Sequence, residues 1–402
     1  MFSEEHQLAD LLNQFNTTAD TGQNRLVYSE QWLHNQKTLI LLGQKYGAKA
    51  IVDDYGNVSL DFPGQEATLP IATGSHMDTV RQGGRYDGLY GVLGGFCAIQ
   101  KVYQQGSLPK KPLRLISFSE EEGSRFPAAF TGSKHYTGQQ QQVAALVDET
   151  GITFAQAREN AIKQLQAMPD VRRQRAPLPA NFTELHIEQG PRLSQAHQSI
   201  GLVTGIVAQN RYNVTVHGQA NHAGTTPRAQ RQDAIATASH LMARLYDLVD
   251  RSSNSLTFTI GEIRVSPNVS NVIAESCTFT IDCREESDER LATFLSAMNT
   301  VVKQFDNVTI EQTLHVPATL LSQALRKQNA EIATQMKFPF RELFSGAGHD
   351  SQIMNTVVPT TMIFVPSKAG ISHAPAEYTK MSDLLIGVAL LTASLSAQAN
   401  EA

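Results

Sequence analysis

Five short polar segments, each interrupting or closing an apolar run, constrain this chain most: GSHMDT (74–79), GGRYDGLYG (83–91), SFSEEEGSRF (117–126), ELHIEQG (184–190) and GISHAPAE (370–377). They carry His76, Asp87, Glu122, His186 and His373, a full ligand set for two neighbouring divalent ions. Imidazole and carboxylate together suit zinc or manganese. A pair of such ions lowers the pKa of water from about 15.7 toward ~7, which points to hydrolysis.

The segments also dictate a fold. LPIATGS (69–75) and PLRLISFS (112–119) read as buried strands, with helical spacing of Leu89, Val92, Leu93, Phe96, Ile99 and Val102 between them. That alternation predicts an α/β sheet with helices on both faces, and ligands in such sheets gather at the carboxyl ends of strands. The Gln139–Gln142 run and residues 169–179 read as surface loop. The pattern changes in the middle. Strands at 211–218, 255–265, 276–284 and 307–315, with helices after the first and third, give the order β-α-β-β-α-β, which is ferredoxin-like. The α/β pattern resumes near residue 320, with a strand at 360–366 and a closing helix at 381–397. The expectation is a discontinuous catalytic domain, 1–207 and 319–402, with 208–318 inserted into it.

A length of 402 residues with 41% hydrophobic and 18% charged content suits a multi-domain globular protein. The net charge of -5 offers no basic footprint for nucleic acid or an anionic membrane. The N-terminus, MFSEEHQLADLLNQF, lacks the basic start and apolar core of a signal peptide. The longest apolar stretch, Leu384 to Leu395, reads as too short to span a bilayer. Three cysteines without CxxC spacing favour a reducing compartment, hence the cytoplasm.

Each segment alone has a structural reading: a hydrogen-bonded core histidine, a solvated acidic turn, a flexible glycine loop. Together and in order, they resemble the metal-dependent aminoacylase/carboxypeptidase superfamily, known as M20. SEEEGSRF, ELHIEQGP, NHAGTTP, SGAGHD and GISHAPAE resemble its allantoate amidohydrolase and N-carbamoyl-L-amino-acid hydrolase branch. The resemblance implies a mixed-sheet, phosphorylase/hydrolase-like catalytic domain, and an inserted lid that dimerises the protein. It implies that His76 and His186 hold one ion and that Glu122 and His373 hold the other. Asp87 would bridge the two, with a cis peptide at Asp87–Gly88, and Asp78 would orient His76.

Glu121 is the expected general base, with Glu120 as a competitor facing outward. His222, in NHAGTTP, resembles the family histidine that reaches a partner subunit's site, where it would serve as an oxyanion donor; the alternative is a histidine capping the following helix. By the same resemblance Asn271 and Arg284 would hold a substrate carboxylate, which suits a guanidinium fork, and Arg284 otherwise reads as a strand-end salt bridge. Arg211, in AQNRY, resembles the allantoate enzymes, whereas carbamoyl-amino-acid hydrolases more often carry Trp there. FPAAFTGS (126–133) and Asn210 depart from the allantoate pattern and leave room for a related ureido acid. The implied reaction takes allantoate and water to ureidoglycine, ammonia and carbon dioxide, in purine catabolism. N-carbamoyl-L-amino-acid hydrolysis, ureidoglycolate hydrolysis and a metal-free binding protein are the alternatives.

Overall fold

A computed structural model describes residues 4–17 and 21–401. Met1–Ser3, the start of the segment read for a signal peptide, lie outside the described residues. The chain divides into two compact units, Met1–Thr204 with Leu321–Ala402, and Gly205–Leu320.

The first unit is built on a large mixed sheet. Its centre is four parallel strands in the order Thr360–Val365, Asn181–Ile187, Ile71–His76, Leu113–Phe118. Three of them are buried along their whole length, and Asn181–Ile187 is buried from Phe182 onward, as expected of strands covered on both faces. Beyond Leu113–Phe118 the sheet turns antiparallel through Val58–Phe62 and Lys49–Val52. Because the four central strands are parallel, their carboxyl ends meet at one edge, and that edge carries His76, Glu120–Glu122, His186 and the chain leading to His373.

The helix Leu89–Gln104 is buried almost throughout and packs on the central strands. Met381–Asn400 packs against it, burying Leu384, Val388, Leu391 and Leu395 in the same core. At 20 residues this helix is longer than its apolar stretch suggested, and long and apolar enough to cross a bilayer. Length therefore excludes nothing; what the structure gives this apolar face is a protein core. One loop expectation fails: Val171–Arg173 is a short strand paired in parallel with Lys49–Val52 at the sheet edge. Its residues are mostly exposed, so no apolar pattern marked it.

The second unit is a four-stranded antiparallel sheet in the order Thr257–Ser266, Ser276–Glu285, Ala208–His217, Val308–Val316. Helices Ala234–Val249 and Asp288–Val302, capped by the side chains of Asp233 and Ser287, cover one face. Tyr212, Val214, Phe279, Leu241, Leu245, Phe294 and Met298 fill the space between. Alternation along Ala208–His217 and Ser276–Glu285 turns the intervening polar residues to the other face. A short ribbon, Asn221–His222 against Val272–Ile273, joins the sheet at its Ser276–His217 end.

Candidate metal centre

At the carboxyl edge of the large sheet, ligand atoms of His76, Asp87 and His186 lie within 4.8 Å of one another, as do those of Asp87, Glu122 and His373. Asp87 belongs to both groups, one oxygen to each. Its Oδ1 lies 3.2 Å from His186 Nε2 and 4.0 Å from His76 Nε2. Its Oδ2 lies 3.1 Å from His373 Nε2, which is 3.5 Å from Glu122 Oε2.

The histidines on the His76/His186 side are aimed by backbone carbonyls. His76 Nδ1 is 3.0 Å from Asp78 O, and His186 Nδ1 is 2.9 Å from Ile187 O. A carbonyl only accepts, so each Nδ1 carries a proton and each Nε2 is the ring atom turned to the centre, the one that would bind a cation once deprotonated. Asp78 does more than orient His76. Its two oxygens accept the N–H groups of Glu121 and Glu122 at 3.2 and 3.1 Å, tying the first strand's end to the second's.

The acidic turn departs from strand alternation. Glu120 adopts a left-handed φ of 50°. It is buried rather than outward-facing, with Oε2 lacking a hydrogen-bond partner. FPAAFTGS enforces this: the N–H groups of Phe130, Thr131 and Gly132 donate to Glu121, Glu120 and Ser119 at 3.0, 3.0 and 2.9 Å. Glu121 is buried and its Oε2 lies 3.9 Å from His76 Nε2.

Asp87–Gly88 is not a cis peptide; among the described residues the cis bond is Ser266–Pro267. Gly88 itself makes the reversal, with φ 62° and ψ -50° and a 2.6 Å bond from Leu89 N–H to Asp87 O, a γ-turn open to glycine. A Cβ at Gly88 would also overlap the His76 ring.

Three residues without an assigned role complete the site. Glu377 is buried, accepts the N–H groups of Tyr86 and Asp87 at 2.8 and 3.1 Å, and takes a 2.7 Å bond from Ser372 Oγ. It thereby fastens the Asp87 turn to the His373 loop. Gln189 Nε2 donates to Asp87 Oδ2 at 3.0 Å. His349, in SGAGHD, is buried with its ring 4.6 Å from that of His186. All three lie within the matched segments; carboxylate and amide chemistry was the available signal, but spacing did not say what they would touch. Glu184, which also groups with His186 and His349, is occupied by Ser75 and Ser351 hydroxyls at 2.7 and 2.6 Å.

The electrostatics call for cations. Burial pushes the Glu121 carboxyl well above the usual range, with His76 opposing and Glu122 adding to the push. Burial, then Asp87, holds Glu122 up at about 7, and burial, then Glu184, holds Asp350 at about 8. Burial also acts on Asp87, but hydrogen bonds from His186 and His373 outweigh it and hold it well below. The nearby buried guanidinium, Arg25, is itself lowered to about 10 by burial. Crowded carboxylates with one such cation, a buried Glu122 Oε1 without a partner, and imidazole Nε2 atoms converging on Asp87 fit two divalent ions.

The remaining expected residues lie in the second unit. Arg211 and Arg284 share the sheet face away from the helices and converge on Asp282, at 2.8 Å from Oδ2 and 2.8 Å from Oδ1. Asn210 faces the other way, buried, bonded to Gln312 and His315 at 2.8 Å each, and so does not bear on Arg211's face. Asn271 and His222 meet at the ribbon, where Ala223 N–H donates to Asn271 O at 3.0 Å and Val272 pairs with His222. His222 does not cap the following helix, which Asp233 caps; its Nδ1 accepts from Gly224 and Thr225 N–H at 3.0 and 3.2 Å.

A two-unit α/β chain with paired ligand sets sharing one carboxylate defines a di-metal hydrolase architecture. The chain belongs to peptidase family M20/M25/M40, whose family model matches residues 72–397. It is 36% identical over 394 residues to the allantoate amidohydrolase of Bacillus subtilis (strain 168), covering 95% of this chain and 94% of that one. It is 33% identical to the N-carbamoyl-L-amino-acid amidohydrolase of Paenarthrobacter aurescens, covering 91% and 90%. The solved hydantoinase/carbamoylase-family amidase of Burkholderia multivorans superposes with a TM-score of 0.89 at 30% identity, covering 99% and 98%.

Proposed function

We propose that the chain is an allantoate amidohydrolase, cleaving a ureido C–N bond with water to yield ureidoglycine, ammonia and carbon dioxide. The observation that carries the hydrolytic part is Asp87, with one oxygen toward each ligand set. In this reading His76 and His186 would hold one ion, Glu122 and His373 the other, and Asp87 would serve both. The ions, manganese or zinc, supply an activated water and polarise the ureido carbonyl when bound. Glu121, buried beside the ligands without being needed as one, takes the water's proton and passes it to the leaving nitrogen. Asp78 holds His76 and the Glu121 backbone in register.

The second unit's strand order and helix positions support reading it as a ferredoxin-like lid. Arg284 and Asn271 are assigned to the substrate carboxylate and Arg211 to the second ureido arm. His222 suits an oxyanion donor, because two N–H groups on Nδ1 leave its proton on Nε2. The ribbon bearing Asn271 and His222 joins the sheet at Ser276, eight residues and roughly 27 Å along the strand from Arg284. That separation exceeds the span of one carboxylate, which supports a homodimer in which each site draws the ribbon from one copy and the arginines from the other. Cys97, Cys277 and Cys283, buried and free, support a reducing compartment, which we take to be the cytoplasm.

Identity is higher to the Bacillus allantoate enzyme than to the Paenarthrobacter carbamoyl enzyme, 36% against 33%, and Arg211 suits a polar ureido arm rather than an aromatic side chain. The test is substrate preference. Manganese-loaded protein should release ammonia from allantoate faster than from N-carbamoyl-L-methionine or N-carbamoyl-L-phenylalanine. The reverse order replaces this reading with N-carbamoyl-L-amino-acid hydrolysis.

A further inference from the structure

Asp282 stands in the middle of the arginine face and has no role in the assignments above. Register puts it directly opposite Arg211, with Arg284 opposite Gln209. Its Oδ1 takes Arg284 Nε at 2.8 Å. Its Oδ2 takes Arg211 Nε at 2.8 Å, Gln209 Nε2 at 2.7 Å and an Arg284 Nη at 3.3 Å. One carboxylate thus engages the Nε edge of both guanidiniums and orients two forks that would otherwise repel each other. The Arg211 side chain stays 52% exposed, leaving its outer edge turned to solvent. Along the same two strands the flanking groups on this face, Asn213, Thr215, Thr278 and Thr280, are uncharged, while the outer strands bring Glu311 opposite Asn213 and Arg264 opposite Thr278.

We propose that Asp282 is a specificity-determining positioning residue, which sets the charge that the arginine face offers a ligand and so tunes it to a substrate with a single carboxylate. Two guanidiniums and one carboxylate leave one positive charge within the trio. A ureido acid with one carboxylate and otherwise neutral arms matches that charge; a second carboxylate on the substrate meets Asp282 instead. Burial opposes the ionised form of Asp282, but hydrogen bonds and charge from Arg284, then Arg211 and Gln209, hold its carboxyl below the usual range, so it is ionised wherever the enzyme would work. The inference deepens the ureido-acid reading and rests on it for the substrate, but not for the anion selectivity.

Two variants shift the charge in opposite directions at nearly constant shape. Asp282→Asn removes a negative charge, and Gln209→Glu adds one beside it. Full-length, metal-loaded protein labelled at arginine is titrated at low salt with acetate and with malonate. The Nε resonances of Arg211 and Arg284 are followed, each assigned by its loss in an Arg→Lys variant. The ratio of malonate to acetate affinity should rise in the order Gln209→Glu, native, Asp282→Asn, by about fivefold per step, as expected for one added charge about 5 Å away at the surface. In parallel, kcat/KM for N-carbamoyl-L-aspartate relative to allantoate should follow the same order. A merely structural Asp282 would weaken both anions alike. Equal ratios in all three proteins, or no response of either resonance in the native protein, overturn the inference. Native protein that hydrolyses neither ureido acid overturns the function proposed above, while the titration still decides the role of Asp282.

Discussion

The metal centre and the arginine face are both clusters of charge, yet they are held in opposite ways. In the first, nearly every group is buried and fixed more than once: Asp87 by Glu377 through its backbone and by Gln189 through its side chain, Glu121 and Glu122 by Asp78. In the second, two partly exposed arginines are organised by one carboxylate. The contrast assigns the parts. In the proposed reading, geometry that must be exact for bond-breaking lies where burial makes displacement costly, and selectivity lies where one substitution can change charge without disturbing a core.

The sharpest way to break this division is Glu121→Gln. It should lower kcat by about 10²–10⁴ while both ions stay bound, measured by steady-state ammonia release alongside metal analysis. Loss of an ion instead would make Glu121 a ligand and move the base elsewhere, with Glu120 the nearest candidate. Next in size is the arginine face. Arg284→Ala should raise KM for allantoate about 10–100-fold, the worth of a charge-assisted fork, with kcat changed far less. Arg211→Trp should move preference from allantoate toward aromatic carbamoyl amino acids. A fall in kcat with KM unchanged in either variant would place these arginines in the chemistry rather than in binding.

The two regions were also unequally legible in sequence. The five candidate ligands could be grouped from sequence because each closes or follows an apolar strand, and parallel strands bring such ends together whatever the loops do. The family was readable from the order of the segments, and the family match over 72–397 bears that out. What failed was local backbone. Glu120 was read by alternation, but alternation ends at Phe118, and a left-handed residue follows. Asp87–Gly88 was given a cis bond by likeness, where a glycine γ-turn does the reversal. Val171–Arg173 pairs at an edge with no apolar pattern to announce it. Asp282 went unread because its meaning depends on cross-strand register, which one strand's residues do not carry.

The smallest expected effect separates the regions by pH. In the metal centre burial raises Glu122 to about 7 and Asp350 to about 8, and the bond to Asp87 raises His373 to about 9. All three are raised above their unfolded values, near 4 for the carboxyls and 6.5 for the imidazole. Each contribution is therefore full below the unfolded pKa and lost as pH climbs through the folded one. Chelator-treated protein should melt lower at pH 8.5 than at pH 6, by about 5 °C for a loss of a few kcal/mol carried mainly by the buried carboxyls, since solvent screens the half-exposed His373. Divalent ions favour the deprotonated carboxylates and neutral imidazoles, so manganese should abolish most of that slope and bind more tightly at the higher pH. Asp282 is shifted the other way, downward, so its contribution is present above about pH 4 and adds no slope between pH 6 and 8.5. Asp350→Asn should flatten part of the chelated curve, and Asp282→Asn should leave its slope alone. A melting temperature independent of pH in chelator would mean that the buried carboxylates are not strained by one another, and the case for two ions would then rest on ligand geometry alone.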